Sequence, residues 1–156
     1  GDALVFVDAD TTIDADVLRG VLQALGAGAA GGGAGARFDD EPVPAYAPVL
    51  LSLIVWMFAR LKLAAWCFVF CTRTAFDRVG GFDEGVFAAE ELFFSRALRR
   101  HGRVVILKER VTTSGRKLRM HSPREILRDL LRIAIRGRKG LRDRRHLDLW
   151  YGSRRE

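Results

Sequence analysis

Near the start of the chain, Ala3-Leu4-Val5-Phe6-Val7 runs without a polar residue into Asp8-Ala9-Asp10-Thr11-Thr12. A continuous apolar run rich in β-branched and aromatic residues predicts a buried strand of the kind parallel sheets use. Ligands of open α/β sheets bind beyond the carboxyl ends of the strands, so carboxylates placed there form a candidate site. Two carboxylates one residue apart on a loop can converge on one hard divalent cation, Mg²⁺ or Mn²⁺. The plainer reading is a strand end followed by an Asp helix cap.

Beyond this stretch, helical and strand patterns alternate. Val17, Leu18, Val21, Leu22 and Leu25 recur at helical spacing, with Asp14 or Asp16 at the first turn and Gly26 to stop the helix. Residues 26–36 hold six glycines. They lack the Gly-Lys-Ser/Thr ending of a phosphate loop and read as a loop, or as a small-residue strand that another backbone passes closely. Residues 39–44 are a polar surface loop. A helix is expected over 49–63 and a strand over 66–71. A short helix is expected over 72–79, a turn at Gly80-Gly81-Phe82-Asp83-Glu84, and a helix over 88–101 ended by Gly102. Strands are expected at 104–107 and again at 111–113. Ser122-Pro123-Arg124-Glu125 is a strong helix start, with a Ser cap, Pro at the first position and Glu three residues after the cap. Strands alternating with helices place the chain in the α/β class.

Composition bounds the function. At 156 residues with 49% hydrophobic and 29% charged residues, the chain is ordinary globular material for about one domain. Two cysteines, Cys67 and Cys71, exclude a disulfide-rich scaffold. They lie four apart, on one face of the expected strand, and read as buried thiols rather than zinc ligands. Residues 49–71 are very apolar, but Arg60 and Lys62 interrupt them. Each uninterrupted run is about half the roughly 20 residues that a spanning helix needs. A strand that opens at residue 3, with no signal peptide before it, is expected of a chain cut from something longer.

The net charge of +7 is split unevenly. Residues 1–95 carry 6 Lys/Arg against 13 Asp/Glu, a net −7, and residues 96–156 carry 20 against 6, a net +14. An acidic front suits cations and a basic back suits polyanions or anionic surfaces. In the expected helix from Ser122, Arg124, Arg128, Arg132 and Arg136 recur along one edge beside a broad apolar face. Such a helix suits an anionic membrane surface, through residues 122–145. It also suits packing on the domain with a solvated Arg edge. Nucleic acid is not an expected partner, because no recognisable DNA or RNA motif and no aromatic interleaving accompany the charge.

Two further motifs carry chemistry. Gly80-Gly81-Phe82-Asp83-Glu84 precedes Ala89-Glu90-Glu91-Leu92, an acidic pair opening a helix. The helix dipole stabilises such a pair, and a carboxylate there can also deprotonate an acceptor hydroxyl. Thr112-Thr113-Ser114-Gly115-Arg116-Lys117 offers small hydroxyls, a glycine and two cations that can cradle phosphates. His121 comes soon after, as a candidate metal ligand or phosphate partner.

Taken in order, these motifs resemble the family 2 glycosyltransferases of the GT-A fold. The motifs are a strand ending in Asp-x-Asp, Arg73-x-x-Phe76 leading to Gly-Gly-Phe-Asp-Glu, and an acidic pair on a helix. The resemblance covers roughly residues 3–117. It implies a partial GT-A (Rossmann-like) mixed sheet flanked by helices over 1–117, with a basic amphipathic helical tail over 118–156. By that match Asp8 and Asp10 hold Mg²⁺ or Mn²⁺ and the diphosphate of a nucleotide sugar. Gly81, Phe82 and Asp83 form an acceptor-side loop. Glu91, beside Glu90, is the base that activates an acceptor hydroxyl on a saccharide or lipid-linked acceptor. Ser114, Arg116 and His121 lie on the donor diphosphate side. The family's pair is usually Glu-Asp, so Glu91 places its carboxylate one methylene further out. The strands that hold the nucleoside precede Asp-x-Asp in that family and are not in this sequence. The chain is therefore expected to be a C-terminal portion, inactive alone, of a cytoplasmic enzyme peripheral to the inner face of the membrane.

Two other readings share these residues. Val5-Phe6-Val7-Asp8-Ala9-Asp10-Thr11-Thr12 also fits the opening signature of haloacid-dehalogenase-type phosphatases, with Asp8 as nucleophile and Asp10 as acid/base. Lys108 comes after a strand, as that family requires, but no later Asp pair does, and the helix after the motif leaves no room for the usual insertion. The third reading is a non-catalytic basic module that binds membrane or nucleic acid.

Overall fold

The computed structural model describes residues 1–39, 42–61, 67–86 and 90–116. In these, five strands and four helices alternate along the chain: β1 (Ala3–Val7), β2 (Thr11–Thr12), α1 (Ala15–Gly26), β3 (Ala29–Phe38), α2 (Ala47–Leu61), β4 (Phe68–Thr72), α3 (Arg73–Val79), α4 (Glu90–Leu98) and β5 (Arg103–Thr113). The strands form one mixed sheet in the order β1-β4-β3-β5-β2. Only β3 and β5 pair in parallel; the other three pairings are antiparallel. β1, β3 and β5 therefore point the same way, and their C-terminal ends share one edge.

Local chemistry sets the helix ends. Asp14 accepts the Val17 N–H at 2.9 Å and caps α1, whose Val17 and Val21 are buried. Thr72 caps α3 by accepting the Ala75 N–H at 3.1 Å. α3 ends on Gly80 at φ 83°, a left-handed conformation that glycine adopts without strain.

Helices cover both faces of the sheet. On one, Val17 and Val21 of α1 and Leu51 of α2 pack with Ala34, Ala36, Phe68, Phe70, Leu107 and Val111. On the other, Ala75 of α3 and Phe94 and Leu98 of α4 pack with Ala30, Val69, Cys71 and Val104.

The structure decides one open reading of the sequence and departs from it at three places. Of the two readings of the glycine-rich run, the small-residue strand is the one found: it is the central strand β3, buried from Ala29 to Ala36. Its neighbours press close: a Cβ on Gly32 would lie 1.9 Å from the Val105 carbonyl oxygen. β1 is a strand but not a buried one. It lies at the end of the sheet with one neighbour, turning Leu4 and Phe6 inward while Val5 and Val7 are 37% and 38% exposed. The two strands expected at 104–107 and 111–113 are one. Its register against β3 shifts between Leu107 and Arg110, where a bulge takes up Lys108 and Glu109. Finally, the cysteines do not share a face. Cys67 precedes β4 and packs in the α1/α2 layer, while Cys71 packs in the α3/α4 layer. The Ser122 helix and residues 118–156 lie outside the described residues.

Candidate functional site

The edge where β1, β3 and β5 end is built from three segments far apart in sequence. β3 pairs with β4 only over residues 31–33, so the sheet opens toward this edge. Residues 8–12 cross the opening. On one side Asp8 donates its N–H to the Cys67 carbonyl at 3.0 Å. On the other, Thr11 and Thr12 pair with Thr113 and Thr112, and the Thr11 hydroxyl donates to that of Thr113 at 3.2 Å. A turn between them is closed by the Thr11 N–H on the Asp8 carbonyl at 3.0 Å.

The loop after β5 is bound to this turn. Ser114 donates its N–H to the Asp10 carbonyl at 3.2 Å, and the Arg116 N–H reaches the Ser114 hydroxyl at 3.3 Å. Asp39, just past β3, holds the same loop from the other side. Its N–H donates to the Thr113 carbonyl at 2.9 Å and its Oδ1 accepts the Gly115 N–H at 3.5 Å. Arg37 donates from Nε to the Thr112 hydroxyl at 2.9 Å. Asp8, Asp10, Arg37 and Arg116 are exposed, so carboxylates and guanidinium groups meet solvent at one edge.

Cys67 lies under the crossing segment, with its thiol in hydrogen-bonding contact with Thr11 and Thr113. Burial pushes the thiol up from its ordinary value, the two hydroxyls oppose that shift, and the nearby Asp8 charge adds to it. A protonated thiol here packs as an apolar group rather than acting as a nucleophile.

The residues expected on an acceptor side belong to the other layer. Phe82 stacks among rings: Phe6 at 5.0 Å, Phe94 at 4.5 Å and Phe76 at 6.2 Å between centroids. Asp83 accepts the Gly85 N–H at 3.1 Å and its carbonyl accepts that of Val86 at 3.0 Å, closing the turn. Glu90 and Glu91 form the first turn of α4, each half-buried. Phe6 stands two residues before Asp8 and Phe94 three after Glu91, so the aromatic cluster ties the acidic pair and the Gly81–Asp83 turn to β1. α4 ends with Leu98 packed in the same cluster as Ala30, at the start of β3. Its acidic N-terminus is thereby directed back toward the edge that carries Asp8.

Asp8, Asp10, Ser114 and Arg116 are thus brought together, and Gly81, Phe82, Asp83, Glu90 and Glu91 form a second group joined to the first through β1. His121 lies outside the described residues. Asp39 was read in sequence as surface loop. Its signal was the same as that of Asp8, a carboxylate just beyond a strand, but the glycine run before it was left open between loop and strand. Among the described residues no group of three His, Cys, Asp or Glu side chains could hold a metal ion alone. Two carboxylates completed by phosphate oxygens remain a suitable donor set for Mg²⁺ or Mn²⁺. No family model, curated protein or solved structure matches this chain.

Proposed function

We propose that the chain supplies the metal, diphosphate and acceptor side of a glycosyltransferase that moves a sugar from a nucleotide-sugar donor to an acceptor hydroxyl. The observation that supports this reading is the bond from the Ser114 N–H to the Asp10 carbonyl, which joins the Asp-x-Asp turn to the hydroxyl- and cation-bearing loop after β5. Asp8 and Asp10 would hold Mg²⁺ or Mn²⁺, whose chemistry is to neutralise a diphosphate leaving group. Ser114 and Arg116 bind and orient the diphosphate oxygens. Glu91 takes the proton from the acceptor hydroxyl as its oxygen attacks the anomeric carbon. The bond from that carbon to the diphosphate breaks in the same displacement, which inverts the centre. A saccharide or lipid-linked acceptor would meet the enzyme on the Gly81–Asp83 side. In this reading the protein works at the inner face of the membrane, with the basic residues 122–145 on anionic lipid.

The test is a thermal-shift titration with Mn²⁺ and a panel of nucleoside diphosphates, beside Asp10→Ala. A ligand held only by the folded state adds about 2.7 kcal/mol of stability at a hundred times its Kd. A rise in melting temperature that needs both metal and diphosphate, and that Asp10→Ala abolishes, is expected. A cooperatively melting wild-type chain with no such rise, or an equal rise in the variant, overturns the assignment of Asp10.

A further inference from the structure

α2 turns an apolar stripe outward. Leu51 is buried and Val55 packs on Gly35 of β3, which fixes the inner side of the helix. On the outer side Val49, Leu53 and Trp56 recur at helical spacing and are 71%, 59% and 57% exposed. Arg60 continues the row and lies over the Trp56 ring at 5.3 Å. A surface helix ordinarily presents polar residues here.

Further cations stand beside another flank of α2. A groove of about 430 Å³ runs beside α2, lined by its Val55 and Ala59 and by β5, and Arg103, Lys108 and Arg110 stand on its β5 wall. All three are exposed. The acidic group of this stretch, Glu109, packs instead against Gly20 of α1.

We infer that α2 is a docking surface for an anionic lipid bilayer, lying in the plane of its interface. An apolar row with a Trp, ending in Arg60 and with Arg and Lys across the groove on the helix's other flank, matches acyl chains beneath anionic headgroups. The helix has 15 residues, about 22 Å long, against the roughly 30 Å of a hydrocarbon core. Accordingly, no helix among the described residues is long and apolar enough to cross a membrane. A second copy fits this surface poorly. An antiparallel two-fold contact of α2 on α2 would set Arg60 of each copy against the other's apolar row. The inference uses neither residues 122–145 nor the transferase reading.

The experiment uses the full chain with phosphatidylcholine vesicles, with and without phosphatidylglycerol. The emission of Trp56 is taken as the difference between wild type and Trp56→Phe. It is expected to shift to the blue, and to be quenched by lipids brominated on their acyl chains, only with the anionic vesicles. Val49→Glu with Leu53→Glu is expected to lower partitioning by about tenfold or more, whereas Leu22→Glu on exposed α1 leaves it unchanged. Vesicle binding with no change in Trp56 emission would place the contact elsewhere and overturn the inference. No vesicle binding by a cooperatively melting chain would do the same. So would unaltered partitioning of the double variant, the pattern expected if the stripe serves a soluble acidic partner.

Discussion

Gly32 is hemmed in by neighbouring backbone. A methyl group there would sit 1.9 Å from the Val105 carbonyl oxygen, and backbone cannot yield as a flexible side chain can. Gly32→Ala is therefore expected to cost about 3 kcal/mol or more and to abolish the cooperative thermal transition followed by circular dichroism. Cys71 tests a different residue property. Burial pushes its thiol up to about 11, with the Asp77 charge adding to the shift. The folded state thus keeps a proton that the unfolded thiol gives up above pH 9. The resulting stability is complete below pH 9 and is lost as the pH rises toward 11. Cys71→Ala should flatten that part of the melting-temperature profile, and an equal slope in both proteins would show that other groups cause it. Phe82 shows how one residue carries two readings. The sequence reading placed it in an acceptor-side motif, and its contacts with Phe6, Phe76 and Phe94 make it part of the packing.

At the scale of elements, caps and periodicity were the dependable signals. α1 was legible from Val17, Val21 and the Asp before them, because a cap and an apolar stripe are local properties. Asp14→Ala leaves the Val17 N–H without its side-chain partner and is expected to cost about 1 kcal/mol, or about 2–4 °C in melting temperature. Asp16→Ala, two residues on, removes only an exposed ion pair with Arg19 and should cost less. Equal losses in the two would reject the cap assignment. β3 was left open between a loop and a small-residue strand for the opposite reason. Its glycines and alanines carry no β-propensity, and they are tolerated because the neighbouring backbone comes so close. β5 was divided in sequence because Lys108 and Glu109 interrupt its apolar pattern. A bulge absorbs them and the pairing with β3 resumes. The Lys108 of the phosphatase reading accordingly sits within β5, on the groove beside α2, rather than at the edge that carries Asp8.

At the scale of the molecule, the sheet order separates a firm centre from open margins. β3 pairs on both sides and is buried throughout its first eight residues, whereas β1 has one neighbour and β2 pairs through two residues only. Native-state hydrogen exchange should be slowest for amides of β3 and β4 and faster for the outer β1 and for Thr11 and Thr12. Exchange at β1 as slow as at β3 would mean that the sheet opens as one unit. The split of the sheet between β3 and β4 also shapes the candidate site. It makes room for residues 8–12 to cross, which puts Asp10 against Ser114.

The α/β class, the caps and the candidate residues at strand ends could be read from the chain alone, because each depends on neighbours within a few positions. Asp8, Asp10, Ser114 and Arg116 were all legible as single motifs. Their meeting was not, nor was the part of Asp39, since no local pattern encodes which strand ends share an edge. The order β1-β4-β3-β5-β2 decides that, through pairings between residues as far apart as Thr11 and Thr113. The outward stripe of α2 has the same origin. Apolar residues surround that helix in sequence, and only packing against β3 selects which of them face the solvent.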